Sequence, residues 1–187
     1  MTLLRPTIDE ILNPFFHVML RGTTGIRRRR IEAVEQQLRR CIETEGDRIL
    51  ETEDLLVVAS ERAFAAEGAI ARTMHADDLV FVLSLFVSPS WRAADPLLLK
   101  VQLTVVERLT ARLLHHRLVH YSDLSCPLLD IGVGIDHARR DMKAINLVKA
   151  RAERQELMRL AIEPLHSAQI DSEPLAEVRG DPHLREQ

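Results

Sequence analysis

Helix start and stop signals punctuate this chain from end to end while strand-like alternation is scarce, and that punctuation limits the fold more than any other feature. Thr7 and Glu10 have the spacing of a capping box. Asn13-Pro14 reads as the cap of a further segment running to Gly22, with Pro14 at a joint or kink. Thr23 or Thr24 opens a long helix ending at Gly46, where a left-handed residue is favoured. Thr52, followed by Glu53 and Asp54, starts a third helix reaching about Ala66, and Gly68 interrupts it. A fourth begins near Asp77 and stops before Ser88-Pro89. Asp95-Pro96 caps the fifth, "PLLLKVQLTVVERLTARLLHHRLVH", whose apolar residues cover most of its circumference, as in a helix packed on several sides.

Only "CPLLDIGVGID" has strand-like content, and Gly132 and Gly134 read there as a turn with positive backbone dihedrals. Asp136 then caps a sixth helix in which Ala138, Met142, Ile145, Val148 and Ala152 follow helical spacing, closed by Pro164. From Leu165 the composition turns polar. The pattern predicts an all-α, single-domain bundle of about six helices over residues 1–164, with a polar C-terminal tail, extended or mobile, over 165–187.

A chain of 187 residues with 46% apolar content buries a core without disulfide or metal staples. Cys41 and Cys126 form no CxxC pair, which suits a reducing compartment. The N-terminus has two prolines and mixed charges in place of a signal sequence. The most apolar run, Leu79 to Val87, is about half the roughly 20 residues of a bilayer span. Together these predict a cytoplasmic protein with no membrane partner, and 22 arginines against three lysines point to a GC-rich bacterial source.

Four consecutive arginines, Arg27, Arg28, Arg29 and Arg30, fall in the first turns of the second helix. At about 100° per residue they ring the helix rather than form one ridge. Cations at this end oppose the helix dipole and call for compensation. Thr24, Arg27, Arg28, Arg29, Arg30, Arg39 and Arg40 are the candidates for an anion or nucleic-acid site. The other source of compensation is internal, in the acidic block Glu43, Glu45, Asp47, Glu51, Glu53 and Asp54, reached across a helical hairpin or between copies. A net charge of −3 excludes a strongly basic nucleic-acid coat, and 4% aromatic content argues against stacking on single strands. Double-stranded DNA is the nucleic acid left.

In "HHRLVHYSDLSC", His116 and His120 are four apart, one helical face, and Asp123 and Cys126 follow at three-residue steps. These ligand types suit zinc, although the spacing matches no standard zinc signature and HExxH is absent. The alternative role is a helix end, where histidines bond free carbonyls. No cofactor is expected otherwise.

"LDIGVGIDHARRD" lacks the third glycine of a dinucleotide-binding turn, and neither a Walker loop nor GxSxG occurs. "GIRRRRIEAVEQQLRRCIETEG" resembles the helical core-binding region of tyrosine recombinases, but that family's Arg, HxxR and Tyr set does not follow it. "VERLTARLLHHRLVHYSD" resembles a winged-helix recognition helix running into its wing, but is apolar all round. Without a catalytic constellation, the expected function is that of a non-enzymatic helical interaction module, acting by binding a partner protein and self-associating, most simply as a two-fold dimer. Leu79, Phe81, Leu83, Phe86, Leu98, Val101, Val105 and Leu109 supply the surplus apolar surface. The alternatives are a DNA-associated regulator using the basic helix at residues 27–40, and a metal-binding protein using residues 116–126.

Overall fold

The computed structural model describes residues 5–167, with side chains through residue 159. Among the described residues the chain is all-α, with seven α-helices and no sheet. The chain divides into Met1–Met142 and Lys143–Gln187. The expected tail lies, from residue 168 on, outside the described residues.

The first helix, α1 (Ile8–Leu20), opens on the predicted box: the Thr7 hydroxyl accepts from the Glu10 N–H at 3.3 Å, and the Glu10 carboxylate accepts from the Thr7 N–H at 2.9 Å. Pro14 sits inside this helix and does not divide it. A proline there costs about 3 kcal/mol. The buried face of Ile8, Ile11, Leu12, Phe15 and Phe16 runs past it on both sides, and burial of about 1.5–3 kcal/mol per side chain outweighs the lost bond.

Next, α2 (Gly25–Glu45) buries Ile31, Val34, Leu38, Cys41 and Ile42 on one face. Gly46 follows in right-handed conformation, not the left-handed one expected, and leads into a 3₁₀ turn. Its glycine has a packing reason instead: a Cβ there would lie 2.5 Å from Ile70 Cδ1. The third helix, α3 (Thr52–Phe64), buries Val58 alone. Gly68, at φ 76°, then opens the short α4 (Ala69–Thr73), an element the sequence reading lacks.

His75 precedes α5 (Ala76–Phe86), and Asp95 precedes α6 (Pro96–His115), accepting from the Leu97 and Leu98 N–H groups at 3.2 and 3.1 Å. The connector between them is held by Gln102, fully buried. Its amide donates to the Phe86 and Trp91 carbonyls and accepts from the Ala93 N–H, all at 2.9 Å. Every polar atom of that side chain is therefore used, as burial demands.

The last described helix, α7 (Ser125–Ser167), overturns the reading of "CPLLDIGVGID". That stretch is helical, Asp136 lies within the helix and caps nothing, and the helix passes Pro164. The glycines with positive φ are Gly22, Gly25 and Gly68, not Gly132 or Gly134. Leu128, Ile131, Ile135 and Ala138 recur at helical spacing and are buried, so core packing selects the helix over the local glycine preference. Gly134 is instead a point of close approach: a Cβ there would lie 2.5 Å from Val87 Cγ2.

Candidate functional site

The arginine run is on a real helix, since Gly25 begins α2, but the Thr24 side chain makes no capping bond. Arg28 pairs with Glu32 at 2.8 Å, one turn on. Arg27, Arg29, Arg30 and Arg40 have no ion pair among the described residues; all are exposed except Arg30, which is half-buried. Arg39 is set apart from them, donating to Asp9 at 2.6 Å, Asn13 at 2.7 Å and Glu35 at 3.2 Å. Burial opposes its charge, but the Asp9 bond and the two carboxylates outweigh that and raise its pKa. Arg39 thus ties α2 to α1 and is not free for a phosphate.

Three of the six residues in the acidic block are engaged elsewhere. Glu45 pairs with Arg48 at 2.7 Å, Asp47 with Arg62 at 2.9 Å, and Glu43 accepts from the Ala71 N–H at 3.4 Å. Within one chain, the acidic and basic blocks therefore do not neutralise each other. Burial pushes the Glu43 carboxyl up and the Cys41 thiol up to about 12, so Cys41 is an inert core residue. The Trp91 indole N–H, donating at 3.0 Å, holds Glu45 below the usual carboxylate range.

The surplus apolar surface is not where the sequence pattern put it. Leu79, Leu83, Phe86, Val105 and Leu109 are fully buried, Leu98 and Val101 are half-buried, and only Phe81 of that set is exposed. Exposed apolar side chains lie instead on α3 and α7. On α3, Leu56, Val57 and Phe64 fall within an arc of about 100°, and Phe64 is 88% exposed. On α7, Ile145, Leu147, Val148, Leu157 and Met158 are all exposed, Val148 by 67%.

The histidine cluster takes a different form from the one its spacing suggests. Helix α6 ends at His115, His116 is its C-cap, and the chain reverses at Arg117, at φ 53°. The Leu118 N–H bonds to the Leu113 carbonyl at 3.0 Å and the Arg117 N–H to the Leu114 carbonyl at 3.1 Å, which is a Schellman motif. His116 and His120 are therefore not one turn apart on a helix. Among the described residues, no three His, Cys, Asp or Glu side chains converge to hold a metal ion, and Cys126 lies exposed on α7.

What the loop does build is a cleft of about 500 Å³. His116, Arg117, His120 and Asp123 line one side. Arg5, His75 and Asp77, brought from the junctions before α1 and α5, line the other. An antiparallel bridge between Thr7 and His75, with the Ile8 N–H on the Met74 carbonyl at 2.8 Å, joins those junctions. Arg5 pairs with Asp77 at 3.1 Å, and His75 Nδ1 lies 3.2 Å from the Pro6 carbonyl. Arg5 and His75 escape sequence reasoning because they lie 70 positions apart and nothing local in the sequence links them. The left-handed arginine escapes it because that position is ordinarily recognised by glycine.

No protein-family model, curated protein or solved structure matches the chain. Among the described residues no helix is long and apolar enough to cross a membrane.

Proposed function

We propose that this protein is a helical interaction module that associates with a second copy of itself through α7. The observation supporting the reading is the set of five large apolar side chains, Ile145, Leu147, Val148, Leu157 and Met158, exposed on one helix. An isolated helix in water is only marginally stable, and its stability ordinarily comes from a packed face. By the roughly 100° step, Leu147, Val148, Ala152, Ile145 and Met158 fall within about half of the circumference, an arc that Arg151, Gln155 and Arg159 share and that leaves Leu157 outside. A second helix laid along this arc buries its apolar side chains.

A two-fold pair is the simplest closed arrangement for a helix face that meets its own copy. Sedimentation equilibrium tests the reading. The wild-type chain sediments at twice the monomer mass at micromolar concentration, and I145E/V148E sediments as a monomer with unchanged helix content. A wild-type chain that stays monomeric at high micromolar concentration refutes it.

A further inference from the structure

The left-handed position after α6 holds arginine where glycine would stabilise the turn, and that arginine lines the cleft of about 500 Å³. Backbone strain of this kind is held in place by the surrounding structure and clusters at functional sites. The charges in the cleft indicate what that function is. Arg5 is committed to Asp77, and the other acid, Asp123, accepts the Ser122 hydroxyl at 2.8 Å. Arg117 has no ion pair among the described residues, and so keeps its donor fork available. His116 and His120 also line the cleft, as does His75, whose Nδ1 lies 3.2 Å from the Pro6 carbonyl. Pro6, Val119 and Leu124 give the cleft apolar walls, and its volume falls within the roughly 300–1,000 Å³ typical of small-molecule sites.

We propose that this cleft binds a small organic anion, its oxyanion taken by the Arg117 guanidinium with His116 and His120, and its apolar body resting on Pro6, Val119 and Leu124. A guanidinium fork matches the oxygens of a phosphate or carboxylate, and the apolar walls favour an anion with a hydrocarbon body over a bare inorganic ion.

Arg117→Gly separates this role from a structural one, because the two readings move in opposite directions. Glycine relieves the left-handed strain, so the full-length variant melts about 2 to 4 °C higher than wild type without ligand. Phenyl phosphate, titrated calorimetrically and by thermal shift, binds the wild-type chain more tightly than inorganic phosphate, and R117G loses at least tenfold of that affinity. The proposal is overturned if phenyl phosphate gives no binding at millimolar concentration, if R117G binds it as well as wild type does, or if inorganic phosphate binds equally well, since the apolar walls would then contribute nothing.

Discussion

Gly132 and Gly134 occupy the same helix two residues apart, yet alanine should have opposite effects at the two positions. At Gly132 nothing lies within 4 Å of a added Cβ, so Gly132→Ala gains only the helix preference of alanine, about 1 kcal/mol. At Gly134 the same Cβ would sit 2.5 Å from Val87 Cγ2 and 3.2 Å from Val87 Cβ. Val87 is buried and β-branched, so its methyl cannot swing clear. Nor can the helices simply part, because Arg92 clamps them: it donates to the Val87 carbonyl at 2.9 Å, the Gly134 carbonyl at 3.1 Å and Asp141 at 3.0 Å. Overpacking of this kind costs about 1–3 kcal/mol. Setting that against the alanine gain, G134A falls below G132A by about 2 kcal/mol, or about 4 to 8 °C in Tm. Urea unfolding of both variants measures the gap, and V87A/G134A should recover more stability than the sum of the single changes. Equal stability of G132A and G134A would refute the close approach of α7 to Val87. Loss at both positions would restore the turn that the two glycines suggest in the sequence.

Two further perturbations concern charge. Burial raises the folded-state pKa of Glu43, so its stabilising contribution is fully present below the unfolded value near 4.3 and is lost as pH rises through the folded value. Glu43→Gln, whose amide oxygen still accepts from Ala71, is therefore more stable than wild type at pH 7, with the gain vanishing near pH 4; urea midpoints across that window check it, and a pH-independent difference contradicts it. Arg39→Ala removes the tie between α1 and α2 and leaves Asp9 without its cation, costing about 1–2 kcal/mol, while Arg27→Ala and Arg29→Ala stay within about 0.5 kcal/mol. Equal losses at all three arginines would remove the distinction drawn between Arg39 and the run.

How much of the fold was legible depended on whether a local signal agreed with the packing. Thr7 with Glu10 and Asp95 with Pro96 place polar groups on free N–H groups at helix starts, and both starts are found where those residues lie. Pro14, Gly46, Gly132 and Gly134 carry local backbone preferences that the packing of the surrounding helix residues overrides. Buried side chains flank Pro14 on one face; Ile70 approaches Gly46; Val87 approaches Gly134. A glycine required for close approach and a glycine required for a turn look identical in one sequence. Only the neighbour, tens of residues away, tells them apart.

The same difference in range governs the candidate site. Charge runs are visible in a sequence, but which arginine is spoken for is decided by Asp9 and Asn13 on another helix, and that withdraws Arg39 from a set its spacing seemed to include. Histidine spacing is visible too, but its meaning rests on the helix continuing. Once α6 ends in a Schellman turn, the four-residue step from His116 to His120 no longer aligns two ligands; it curves the loop around a cleft whose opposite wall comes from Arg5, Pro6 and His75. The residue that makes this reversal, Arg117, is the loop's one arginine and sits in a left-handed backbone conformation that residues with a side chain seldom adopt. Local chemistry and local conformation conflict at that position, which is where a fold under selection for stability alone would have placed glycine.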